Sequence, residues 1–94
     1  MPEQYKFFID LADELKLLGH PDRLRIIFMC SNTSSVTVGE MAEVLTMKPQ
    51  TITQLVSKLK LSGVLVKIKH GAYALVEGNA TVDAIVKLMD EGVK

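Results

Sequence analysis

Gln50, Thr51, Thr53, Gln54, Ser57, Lys58 and Lys60 follow closely on Pro49. Amides and hydroxyls both donate and accept hydrogen bonds, so they can read base edges in the major groove of a duplex, and Gln suits adenine in particular. Lysines suit phosphates, which fix register and affinity without reading sequence. Here the uncharged polar side chains come first and the lysines later, the order a recognition helix needs if its N-terminal residues meet the bases. Between Glu43 and Glu77 there is no Asp or Glu, and Lys48, Lys58, Lys60, Lys67 and Lys69 give that stretch a charge of +5. The rest of the chain carries six bases and eleven acids, so the net charge is zero. A segregated basic third gives one surface suited to a polyanion. Taken singly, Gln50 or Gln54 is better explained as a solvated surface position. The ensemble of polar helix face, lysines and missing acids favours double-stranded DNA.

These side chains need elements to hold them. Ile52, Leu55, Val56 and Leu59 recur at i, i+3, i+4 and i+7, which predicts a helix over about residues 49–61 with its apolar face inward. Before it, Val38, Met41, Ala42 and Leu45 predict a helix over about 38–45, opened by a capping box of Thr37 and Glu40. The turn Thr46-Met47-Lys48 joins the two. After Gly63 the period changes from 3.6 to 2: Val64, Val66 and Ile68 alternate with Leu65, Lys67 and Lys69. With a turn at His70-Gly71 and a return through Ala72 to Val76, this predicts a two-stranded wing over 64–76. Lys67, Lys69 and His70 lie near its tip. Further helices are expected over about 3–18, 22–30 and 81–91, with a polar loop at residues 31–35. The expected fold is mainly α with a small β-hairpin (α+β): a winged helix-turn-helix of five helices in a single domain, 1–94.

The remaining reactive types are few. His20 precedes Pro21 at the mouth of a helix and reads as a turn or cap residue. Cys30 reads as a small buried hydrophobe rather than a reactive thiol. A soft metal held by Cys30 of one protomer and His20 of another would have too few ligands for a closed zinc site, so no metal and no cofactor are expected. The chain lacks a paired-carboxylate arrangement, a Ser/His/Asp set and a phosphate-cradling glycine loop, so an enzyme is not expected. No apolar run reaches the length of a membrane span, Met1-Pro2-Glu3-Gln4 is not a secretory signal, and a lone cysteine excludes an internal disulfide. A cytoplasmic protein is the expectation. With 48% apolar residues in 94, the chain has more apolar surface than a domain of this size can hide, which suggests burial against a second copy.

The segment Leu15-Lys16-Leu17-Leu18-Gly19-His20-Pro21-Asp22-Arg23-Leu24-Arg25-Ile26-Ile27 resembles the LKALGDPTRLRIL opening of the ArsR/SmtB family of repressors. Residues 38–45 resemble its VGELAEAL helix. Gln50-Thr51-Ile52-Thr53-Gln54, Leu59-Lys60 and Ser62-Gly63-Val64-Leu65-Val66 resemble its recognition helix and the start of its wing. The resemblance implies a homodimer joined by the first and last helices, with Tyr5, Phe8, Ile9 and Ala12 on one and Val82, Ile85, Val86 and Met89 on the other. It also implies a repressor on an inverted-repeat operator, released by an effector that the sequence does not identify. The family's sensing motifs do not carry over. The helix over 38–45 holds no Cys or His, the last helix holds no His, and Cys30 has no partner cysteine. Gln54 and Leu55 stand where Arg or His is common in the family, and the wing has no arginine. A winged helix that binds another protein instead of DNA is the alternative; such a module has no need of the acid-free stretch.

Overall fold

Apolar periodicity drives most of this chain into helix, and the order of elements follows from where that periodicity breaks. In the computed structural model, which describes residues 3–69 and 71–93, α1 (Glu3–Leu18) is followed by α2 (Pro21–Ser31), β1 (Val36–Thr37), α3 (Val38–Leu45), α4 (Pro49–Leu61), β2 (Leu65–Lys69), β3 (Ala72–Leu75) and α5 (Ala80–Gly92). The fold is a winged helix-turn-helix, mostly helical. Its sheet differs from the expected two-stranded wing: it has three antiparallel strands in the order β1-β3-β2. Val36 pairs with Tyr73 and Thr37 with Ala72. A two-residue strand is too short to show a period of 2, and its partner lies far along the chain, so the sequence carries no local sign of it.

Side-chain caps open α2, α3 and α5. His20 N-caps α2, its Nδ1 accepting from the Asp22 N–H at 3.2 Å, and Pro21 opens the helix where its missing N–H costs nothing. Thr37 caps α3: its Oγ1 accepts from the Glu40 N–H at 3.1 Å, while the Glu40 carboxylate accepts from the Thr37 N–H at 2.9 Å. Asn79 caps α5 by accepting from the N–H groups of Thr81 and Val82.

The core is assembled around α2 and α4. Leu18, Ile26, Ile27, Cys30, Met41, Ile52, Val56, Leu59, Val64, Leu65 and Val82 are buried together, and no polar or charged residue is buried with them among the described residues. α1 joins this core only at its C-terminal end, through Leu18 with Leu17 beside it. The Arg23 Nη1 donates to the Leu17 carbonyl at 2.9 Å, and Asn79 donates to the Glu14 carboxylate at 3.4 Å, fixing the same end.

The capping box makes a prediction. Hydrogen bonds from Thr37 hold the Glu40 carboxyl below the ordinary value of 4.5. The ionised form is therefore the one the fold favours, and its contribution is present above that value and lost as pH falls below it. Thr37→Ala is expected to lower the unfolding free energy by about 1 kcal/mol at neutral pH. In urea melts, the gap between wild type and Glu40→Gln should narrow as the pH drops below the ordinary carboxyl range. A gap that widens on acidification would contradict the assignment.

Candidate nucleic-acid interface

α3 and α4 are joined by residues 46–48. Thr46 closes α3 with φ 55°, in the left-handed region that β-branched residues rarely enter. Its N–H donates to the Glu43 carbonyl, and the Met47 N–H to the Ala42 carbonyl at 3.0 Å, so the turn satisfies the last carbonyls of α3. Met47 packs against the core and pins the turn. Pro49 then opens α4, whose first turn carries no acid and whose last turn carries Lys58 and Lys60.

Burial orients α4. Ile52, Val56 and Leu59 are fully buried and Leu55 is 9% exposed, so the opposite face turns outward. Gln50, Thr53, Gln54, Ser57, Lys58 and Lys60 are exposed on it, Thr51 is half-buried at its edge, and Lys48 is exposed just before it. No Asp or Glu interrupts this face. The structure thus brings the sequence-selected residues of α4 onto one polar surface.

The wing is anchored on both sides. The Val38 N–H donates to the Gly71 carbonyl at 3.2 Å, tying α3 to the wing turn, and the Val76 N–H donates to the Val64 carbonyl at 3.0 Å. Gly71 has φ 74°, which a residue without Cβ adopts freely. Lys67 faces Tyr73 and Lys69 faces Ala72, so the register slips between the two lysines and Ile68 is the extra residue of a bulge. Lys67 and Lys69 are both exposed. His70, selected with them from the sequence, lies outside the described residues.

Sequence reasoning missed two cations. Arg23 and Lys16 lie in the N-terminal third, outside the acid-free stretch and interspersed with acids, yet folding brings them to α4. A cleft of about 390 Å³ is lined by Arg23, Thr51, Thr53, Gln54, Leu55, Ser57 and Lys58. Beside it, Asp13, Lys16, Leu17, Arg23 and Lys58 line another of about 360 Å³.

The residues selected for protomer contact divide. On α1, Tyr5 is 50%, Phe8 59% and Ile9 50% exposed, with Ala12 exposed beside them. On α5 the expected stripe is mostly the helix's own core face. Val82 is 1% exposed and lies inside the protomer, which corrects its assignment to a contact surface. Ile85, Val86 and Met89 are half-buried against the core. On or beside these two helices, exposed apolar side chains that the pattern did not select are Phe7, Leu15, Leu88 and Val93.

Cys30 is buried with its Sγ 3.9 Å from the Tyr73 carbonyl. Among the described residues no three His, Cys, Asp or Glu side chains gather to hold a metal ion, and no helix is long and apolar enough to cross a membrane.

No family model matches the sequence, and no curated protein does. Solved structures do match. Reduced HlyU from Vibrio cholerae superimposes with a TM-score of 0.82 at 22% identity, over 97% of this chain and 96% of that one. The transcriptional repressor BigR from Xylella fastidiosa gives 0.80 at 27% identity, over 98% and 95%. The transcriptional repressor PagR of Bacillus anthracis gives 0.74 at 27%, over 90% and 98%. Fold and neighbours define the class: a winged helix-turn-helix chain built like transcriptional regulators rather than like an enzyme. The likeness in fold to these regulators spans nearly the whole chain.

Burial pushes the Cys30 thiol up from 9.0 to about 11. The neutral thiol is the form the fold favours, so its contribution is intact below pH 9 and fades as the pH rises toward 11. At pH 8 an alkylating reagent should modify Cys30 roughly 100-fold more slowly in the native protein than in the denatured chain. Equal rates would place the thiol at the surface.

Proposed function

We propose that this chain is a homodimeric, sequence-specific DNA-binding transcriptional regulator, a repressor acting on an inverted-repeat operator. The observation that carries the reading is the acid-free outward face of α4, fixed in orientation by the burial of Ile52, Val56 and Leu59 on the other side. In this reading α4 enters the major groove, where Gln50, Thr51, Thr53 and Gln54 meet base edges. Lys48, Ser57, Lys58 and Lys60 contact phosphates, Lys67 and Lys69 set the wing against the backbone, and His70 is proposed as a further DNA contact. Two solved repressors at 27% identity and near-complete coverage support the same reading. The protomers join through α1 and α5, where Tyr5, Phe8, Ile9 and Ala12 meet Ile85, Val86 and Met89. Cytoplasmic placement accompanies it. The reading includes no metal or other cofactor; the releasing effector is left open.

Binding to the DNA upstream of the chain's own gene, measured by fluorescence anisotropy beside a random duplex, tests this directly. A dimer touching six to ten phosphates should lose roughly 10³–10⁵ in affinity between about 50 and 200 mM salt. Gln54→Ala is expected to cost about 1–3 kcal/mol on the operator and little on random DNA, while Lys58→Ala weakens both alike. Equal losses for both variants on both duplexes would remove the proposed roles. Absence of binding to either duplex at low salt would turn the reading to a protein-interaction module. Phe8→Glu should leave the protomer folded, since Phe8 is 59% exposed, and shift sedimentation from dimer to monomer. A variant that stays dimeric would move the interface off α1.

A further inference from the structure

We propose that Arg23 of α2 supplies the guanidinium that the recognition helix lacks, and seats a backbone phosphate of bound duplex DNA at the seam of α1, α2 and α4. This rests on the DNA-binding reading above and extends its surface beyond the acid-free stretch. The chain has only two arginines, Arg23 and Arg25, and none in α4 or the wing. Arg23 nevertheless lines the same cleft as Thr51, Gln54, Ser57 and Lys58, along the flank of α4. It also lines the adjoining cleft with Lys16 and Lys58. Three cations from three helices therefore converge where the sequence shows only scattered charge.

The local acids leave this charge available. Asp22, next in sequence, is engaged by Arg25 at 3.0 Å. Asp13 is the one carboxylate lining either cleft, against Lys16, Arg23 and Lys58. The guanidinium is held but not used up. Its Nη1 donates to the Leu17 carbonyl at 2.9 Å and its Nε is buried with no hydrogen-bond partner among the described residues, so Nη2 is the nitrogen left to meet an outside oxygen. A guanidinium carries five N–H donors in a planar fork that matches phosphate oxygens. Anchoring one nitrogen to the end of α1 fixes that fork before DNA arrives, so less rotamer freedom is lost on binding. The hydroxyl of Ser57 in the cleft wall can donate to a remaining oxygen of the same phosphate. A helix lying in the major groove has a sugar-phosphate strand along each flank, and this flank is the one facing α2.

A simple structural tie between α1 and α2 would account for the Leu17 contact alone. The two roles separate in the salt dependence of DNA binding by the proposed dimer. Arg23→Gln should weaken operator and random duplex alike, by roughly ten- to a hundredfold at low salt. It should lower the slope of log affinity against log salt by about 0.9 per protomer. Arg23→Lys, which keeps the charge and loses the fork, should restore most of the slope and only part of the affinity. Lys16→Gln, an exposed change that the fold tolerates, should lower the slope as well, and serves if Arg23→Gln fails to fold. Wild-type slope in Lys16→Gln and in folded Arg23→Gln would overturn the proposal while leaving the DNA reading intact. A wild type that binds no duplex would instead remove the reading on which the proposal rests.

Discussion

Ile52, Leu55, Val56 and Leu59 are driven into the core by the cost of leaving their apolar surface in water, each burial contributing roughly 1.5–3 kcal/mol. That one-sided attachment of α4 governs the rest of the molecule. An α-helix has about 3.6 residues per turn, so fixing one stripe inward leaves no freedom in what the opposite stripe presents. The polar face of Gln50, Thr53, Gln54, Ser57, Lys58 and Lys60 points outward because the apolar face cannot. Ile26, Ile27, Met41, Val64 and Leu65 share its cluster. A cavity opened there would loosen the orientation of α4 as well as the stability of the fold, since close-packed cores transmit local strain.

The pieces around α4 are tied to one another in a ring. Thr37 belongs at once to β1, where it pairs with Ala72, and to the cap of α3, where it exchanges hydrogen bonds with Glu40. The start of the helix-turn-helix is thereby fastened to the wing. At the other end of α4 the Val64 N–H donates to the Leu59 carbonyl at 2.9 Å, carrying the chain straight into the wing's first strand. Thr46 accepts a left-handed backbone between α3 and α4, a conformation that costs an L-residue with a side chain roughly 1–2 kcal/mol. It persists because Met47, partly buried against the core beside it, and the hydrogen bonds to Ala42 and Glu43 over-determine the turn.

What the sequence made legible was whatever is encoded locally. The stripe of α4, the Thr37–Glu40 box and the change of period after Gly63 are short-range patterns, and the corresponding features are present. What it hid is non-local. β1 has two residues and pairs with a strand some 35 positions later, so no periodicity announces it. The bulge at Ile68 disturbs an alternation that the sequence shows as unbroken. Val82 reads the same whether the apolar stripe of α5 faces its own core or another chain, and only packing decides for the core. Arg23 was masked for the opposite reason. It lies outside the acid-free stretch and next to Asp22, whereas its neighbours in space are Lys16, Lys58 and the flank of α4.

α1 completes the physical argument because it is the element least supported by its own protomer. It is a helix of sixteen residues with Leu18 as its one buried side chain, and it exposes Tyr5, Phe7, Phe8 and Ile9 at half or more of their surface. Isolated helices of that length are marginal in water, and most helical stability in proteins comes from packing an apolar face. The Tyr5–Phe8 and Phe7–Phe8 rings touch one another, at centroid separations of 6.4 and 5.6 Å, without shielding the patch from solvent. Five half-exposed large side chains, counting Leu15, offer on the order of 500 Å² per protomer if each exposes about half of the 150–250 Å² such groups can bury. With the matching surface they would cover, two copies reach the range of a standard interface. Folding of α1 and association of protomers are therefore expected to be one linked equilibrium, in which stability rises with protein concentration. In the proposed dimer, the anchors at Leu17, Leu18 and Arg23 would make the end of α1 the joint through which the separation of two protomers sets the separation of their α4 helices.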